Sequence, residues 1–180
     1  NVTIEAVGTK SNTIIDSDGG GQNIGAGDQY KGFLITNHSV TIGGFTFTDC
    51  SAPFHVDGGS NRLEDIHIET NLIIDNSYGI YAQGMDNSLI KDNIFNIVST
   101  QWAILLSSSD NNHLINNSVK GSDDHGINLV NAKGNILENN NVSNNPDVGI
   151  WIHDESNDNI LKNNIINYNG DEAIRIESFC

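Results

Sequence analysis

A chain of 180 residues can hold one domain with a sizeable core, and this one carries 23 Asp plus Glu against 8 Lys plus Arg, a formal net charge of −15. That balance excludes nucleic acid as a partner, because phosphates need cations, and it disfavours an anionic membrane surface for the same reason. No apolar run approaches the ~18 residues needed to span a bilayer, so no direct membrane insertion is expected.

The chain opens at Asn1 in sequence that is already strand-like (Val2, Thr3, Ile4). This reads as a processed or trimmed end, with any targeting segment removed. Residues 2–4, 13–15, 32–35 and 39–47 have the composition of strands, and Gly19-Gly20-Gly21 through Asp28 reads as a loop. Residues 1–50 therefore predict about two less regular coils, followed by regular ones over 51–180, all in a single domain.

From Pro53 onward a repeat emerges. Phe54, Ile80, Ile104, Ile127, Ile150 and Ile174 recur at spacings of 26, 24, 23, 23 and 24. Each sits in a short strand such as Gly79-Ile80-Tyr81-Ala82 or Gly149-Ile150-Trp151-Ile152, with apolar residues at alternate places. A second column opens at Asn61, Asn87, Asn112, Asn135 and Asn159, with Leu at the third place and Ile or Val at the eighth. A period of 20–50 residues signals a solenoid. Apolar spacing of two inside each unit, with many β-branched residues and Asn/Gly/Ser/Asp turns, points to strands rather than helices. The expected fold is all-β, a right-handed parallel β-helix of about seven coils, roughly 34 Å long at ~4.8 Å per coil. The recurrent asparagines are scaffold: Asn tolerates left-handed corners, and stacked amides form ladders.

The pattern N-x-L-x-x-N-x-I followed by G-I-x-L resembles the repeats of pectate lyases, polygalacturonases, alginate epimerases, periplasmic NosD-type proteins and large archaeal surface proteins. Thr13-Ile14-Ile15-Asp16, Gly32-Phe33-Leu34-Ile35 and Val40-Thr41-Ile42-Gly43-Gly44-Phe45 are most similar to the archaeal surface and NosD-type members. The resemblance covers nearly the whole chain and implies the fold. It leaves activity open, since this fold hosts unrelated functions.

Alternation places two outward columns beside the Gly-Ile strands: His55, Tyr81, Leu105, Asn128, Trp151, Arg175, and Asp57, Gln83, Ser107, Val130, His153, Glu177. A turn column of Asp75, Asp123-Asp124-His125, Asp147 and Asp171-Glu172 precedes the same strands. Asp123, Asp124, Asp147, Asp171 and Glu172 are thus candidate Ca²⁺ ligands. No cofactor is otherwise required. If the chain is an enzyme, Asp123, Asp124, Asp171 and Arg175 are its candidate catalytic groups, since crowded carboxylates can supply a general acid. Trp151, His153, Tyr81 and Glu177 are candidate glycan contacts. Acidic residues also commonly occupy solvated turns.

Against the families it resembles, the chain has Asp123-Asp124 and Arg175-Ile176, but no Gly-His-Gly turn, and Glu177 stands where polygalacturonases have lysine. The Asp-Pro-His-Glu motif of alginate epimerases is absent. Short, uniform later turns predict little concavity. Sequons at Asn1, Asn37, Asn116 and Asn141 are compatible with export and glycosylation, and arise readily in a chain rich in Asn, Ser and Thr. Cys50 and Cys180, about five coils or ~24 Å apart, are too distant for one internal disulfide. Intermolecular bridging and buried thiols both stay open. The expected role is an extracellular or cell-surface structural or adhesive module, self-associating through uncapped ends or binding surface polysaccharide. A polysaccharide lyase, hydrolase or epimerase and a non-catalytic glycan-binding module are the alternatives.

Overall fold

Alternating apolar residues at a coil-length period can all be buried at once only if successive coils stack, and the computed structural model shows that stack. It describes residues 1–5, 14–16, 31–97 and 101–177; the glycine-rich stretch 19–28 and Cys180 lie outside the described residues. Three seven-stranded sheets form the walls. The first runs through Val2–Glu5, Val40–Gly43, Ile66–Glu69, Leu89–Lys91, His113–Ile115, Ile136–Glu138 and Ile160–Lys162. The second runs through Ile14–Asp16, Thr46–Thr48, Leu72–Ile74, Ile94–Asn96, Ser118–Lys120, Asn141–Ser143 and Ile165–Asn167. The third runs through Lys31–Ile35, Ala52–Asp57, Ile80–Gln83, Ile104–Ser107, Ile127–Val130, Ile150–His153 and Ile174–Ile176. Neighbouring strands are parallel, so the chain is a parallel β-helix. Among the described residues there is no α-helix, only a 3-10 turn at Gly59–Asn61.

The third sheet has the register the repeat predicts. Phe54, Ile80, Ile104, Ile127, Ile150 and Ile174 are successive partners. All but the last are fully buried, with Val56, Ala82, Leu106 and Leu129 beside them. The second sheet contributes Phe47, Ile73, Phe95, Val119 and Val142, and the first contributes Ile42, Ile68, Ile90, Leu114 and Leu137. Burying each large side chain contributes about 1.5–3 kcal/mol. At the N-terminal end Phe33, Phe45, Phe47 and Phe54 interlock, with Phe47 and Phe54 edge to face at 4.8 Å.

The second expected column needs correcting. Leu89 pairs with His113, so Ile90, not Leu89, stacks on Leu114. Likewise Phe95, not Ile94, stacks on Val119; Phe95 is buried and Ile94 is 42% exposed. Asn87 thus aligns with Asn111, and Ser88 with Asn112. Asn61 lies in the 3-10 turn instead. A one-residue slip exchanges the inner and outer faces of a strand, so burial decides the register. The stretch 39–47 is likewise two strands, broken at Gly44, whose φ is +83°.

Most corners follow one rule: a residue in the left-handed region is followed by a polar residue whose side chain is hydrogen-bonded along the stack, whereas in the early coils Ser39, Asp65 and Gly44 are followed by the apolar Val40, Ile66 and Phe45. Between the third and first sheets the left-handed residues are Ser39, Asp65, Asn87, Asn111, Gly134 and Asp158. Between the first and second they are Gly44, Thr70, Asp92, Asn116, Asn139 and Asn163. The buried ladder Asn71–Asn93–Asn117–Asn140–Asn164 follows the second set. After Asn71, whose Oδ1 accepts from the Phe45 N–H, each Oδ1 accepts from the backbone N–H and the Nδ2 of the preceding asparagine, and Nδ2 also donates to a carbonyl, as Asn117 does to Ile90 at 2.9 Å. Ser88, Asn112, Asn135 and Asn159 form a second such ladder. The left-handed residues still donate to backbone carbonyls of the next coil, as Asn116 does to Glu138, whereas the N–H of the ladder residue that follows is taken by a side-chain amide.

Candidate functional site

The outer face of the third sheet is not flat. Leu105 and Asn128 point outward, yet only 5% and 2% of their surfaces are exposed. They floor a trough of about 390 Å³ walled by Tyr78, Tyr81, Trp102, Trp151 and His153, with Ser107 and Val130 completing the lining. The trough is wide open, in keeping with the little concavity that short turns predict, and bulky side chains rather than long loops build its walls.

Strand alternation places Tyr81, Leu105, Asn128 and Trp151 in one column, one strand spacing apart. Tyr78 and Trp102 each stand two residues before a strand-opening isoleucine. Tyr78 meets Tyr81 edge-on at 5.7 Å and Trp102 at 5.8 Å. At the other end His153 stacks on Trp151, with 3.9 Å between ring centroids, and its Nε2 lies 3.0 Å from Asn128 Oδ1. The Arg175 guanidinium lies 5.8 Å from the Trp151 ring centre.

The acidic turns divide into two groups. His125, 5% exposed, packs its ring edge-on to Trp151 at 4.7 Å. Its Nε2 is 3.2 Å from Asp124 and its Nδ1 is 3.4 Å from Asp147. Burial is the main influence on both partners: it pushes the Asp124 carboxyl up and the His125 imidazole down, the latter against the pull of the two carboxylates. One coil further, Asp171 and Glu172 grip Arg175 at 2.6 and 2.5 Å, and Glu177 stands 3.9 Å away. Desolvation pulls Glu172 upward, but the Arg175 hydrogen bond and charge, with a backbone hydrogen bond and Asp171, together outweigh it and hold the carboxyl low. Of the candidate calcium ligands, Asp124 and Asp147 come together around His125, Asp171 and Glu172 are engaged by Arg175, and Asp123 is exposed. Of the candidate catalytic groups, Arg175 is thus held by Asp171, while Asp124 faces His125.

Trp151, His153 and Tyr81 line the trough, as the outward columns predict, whereas Glu177 sits beside Arg175 instead. Sequence reasoning missed Tyr78 and Trp102. Their common offset from Ile80 and Ile104 was the available signal. The sequon asparagines Asn1, Asn37, Asn116 and Asn141 are all exposed. Cys50 is buried at a corner, where its N–H donates to Asn76 Oδ1 at 2.7 Å and its Sγ lies 3.4 Å from the Thr48 carbonyl.

Over residues 2–177 the sequence matches the family model described as periplasmic copper-binding protein (NosD). The chain belongs to the NosD family. Two solved structures share the fold with this NosD-family chain. One is a point mutant of the periplasmic alginate epimerase AlgG, 22% identical with a TM-score of 0.52, matching 82% of this chain and 38% of that one. The other is the A-module of the Azotobacter vinelandii mannuronan C-5 epimerase AlgE4, 15% identical with a TM-score of 0.62, matching 97% of this chain and 62% of that one. At these identities the likeness is one of fold, and the chain spans less than two thirds of either protein. No curated protein gives a significant match.

Proposed function

We propose that this chain is an extracytoplasmic β-helical module that binds a carbohydrate along the outer face of its third sheet. The observation that carries this reading is the trough with aromatic rings at both ends, Tyr81 and Trp102 at one and Trp151 at the other. A sugar ring offers apolar C–H faces that stack on such side chains, and its hydroxyls find Ser107, Asn128 and His153 between them. The description of the family as periplasmic, and the alginate and mannuronan named for the two fold relatives, support an extracytoplasmic glycan ligand.

The acidic surface bears on which glycan. At −15 the chain repels polyuronates unless a cation intervenes, so neutral glycans are the favoured class. Array screening followed by calorimetry on the hits tests the reading. Trp151→Ala is expected to weaken binding at least about tenfold, the equivalent of ~1.4 kcal/mol, with the fold retained. Binding unaffected by both Trp151→Ala and Tyr81→Ala would sink it. Product formation lost in Asp124→Asn would turn the module into an enzyme. Failure to bind any glycan, with filaments seen by electron microscopy, would favour the structural role.

A further inference from the structure

We infer that Asp124, His125 and Asp147 form a mononuclear site for a divalent transition metal beside the trough. One imidazole nitrogen and one oxygen from each carboxylate lie within 4.8 Å of one another, the spread a single ion can draw together. His125 sets this group apart from an ordinary acidic turn. Its side chain is more than nine-tenths buried, and its Nδ1 makes no hydrogen bond, although Asp147 Oδ2 is only 3.4 Å away. A buried ring nitrogen facing carboxylate oxygen without an aligned hydrogen bond needs either a better-placed donor or a cation.

The donors come from consecutive coils whose backbones are already fixed. Ser122 Oγ donates to the His125 carbonyl at 2.9 Å, Gly126 N–H donates to the Val148 carbonyl at 3.1 Å, and Asp171 N–H donates to the Asp147 carbonyl at 3.2 Å. Ligands held this way lose little conformational freedom on binding. Trp151 closes one side of the His125 ring, leaving the carboxylates partly exposed as the entry path.

The donor set selects the class of metal. Calcium takes six to eight oxygens and gains nothing from imidazole, whereas zinc and copper(II) favour mixed nitrogen and carboxylate ligation. Copper(I) wants thiolate or thioether, and Met85 and Cys50 lie in the hydrophobic core. The copper in the family description thus fits these residues in its divalent form. The rival arrangement is an imidazolium ion-paired to both carboxylates, which needs no metal.

Calorimetric titration of the chelator-treated full chain with Zn²⁺, Cu²⁺ and Ca²⁺ decides between them, with electron paramagnetic resonance on the Cu²⁺ form. The expected result is one Zn²⁺ or Cu²⁺ per chain, Ca²⁺ at least about 100-fold weaker, and hyperfine coupling to a single imidazole nitrogen. The double variant Asp124→Asn/Asp147→Asn, which keeps shape and burial, should lose more than the roughly 10–100-fold typical of outer-sphere changes. Trp151→Ala, aimed at the glycan, should retain the metal. No stoichiometric binding, Ca²⁺ equal to Zn²⁺, absent nitrogen coupling, or unchanged affinity in the folded double variant would each overturn the site.

Discussion

Asn117 shows what one residue does in this molecule. Its Oδ1 accepts from the N–H and Nδ2 of Asn93, and its own groups donate to Asn140 and to the Ile90 carbonyl. Asn117→Ala would strand two donors of Asn93 in a dry corner and take the side-chain donor from the Ile90 carbonyl, while Asn140 Oδ1 keeps only the backbone N–H of residue 117. The expected destabilisation is about 2–4 kcal/mol, measured by urea unfolding. Asn116, its exposed neighbour, should tolerate Gly or Asp within ~0.5 kcal/mol, because its task is only the left-handed turn. That asparagines serve as scaffold was legible from their recurrence. Which of two adjacent asparagines is buried was not, because composition does not separate the corner residue from the ladder residue. Asn111 and Asn112 are the case in point.

At the level of the strand, the outer faces differ in chemistry. On the first sheet, Glu138 accepts from Lys162 at 2.8 Å and lies 3.5 Å from His113. The Lys162 hydrogen bond is the main reason its carboxyl sits below the usual range. A depressed acid stabilises the fold above its unfolded pKa, and that contribution disappears as pH falls through the lower, folded value. Glu138→Gln should therefore lower stability slightly at pH 7 and match the parent well below pH 4, as read from unfolding curves at the two pH values. On the third sheet the small residue opening each strand was legible, and the structure supplies the reason. A Cβ on Gly79 would come within 2.4 Å of both the Ala103 carbonyl and the Phe95 ring, so the strand is seated directly against core and backbone. The trough was not legible, because Tyr78 and Trp102 lie in turns outside the alternating pattern.

Across the whole molecule, net charge governs what can approach the trough. With a formal charge of −15, an acidic oligosaccharide should bind more tightly as salt rises from about 10 to 150 mM, where the screening length shortens from roughly 30 to 8 Å. A neutral oligosaccharide that stacks on Trp151 should show almost no such dependence. Calorimetry of the two ligand classes across that range checks both statements. Stacking also makes stability a matter of neighbouring coils, so a ladder substitution in a middle coil is felt on both sides of it.

The amino-acid sequence by itself determined the architecture. A repeat near two dozen residues with apolar residues at every second place has one economical burial, coil upon coil, and Phe54 through Ile174 fall into register without further information. Only the tertiary structure decided the corner register at Asn87 and Ser88, the aromatic walls around Leu105 and Asn128, and the pairing of His125 with Asp147 rather than Asp171. The physical reason is common to all three. Periodicity fixes which coil lies above which, but side-chain contact across coils depends on single-residue offsets at the bends, and those are settled by burial and hydrogen bonding in the assembled stack.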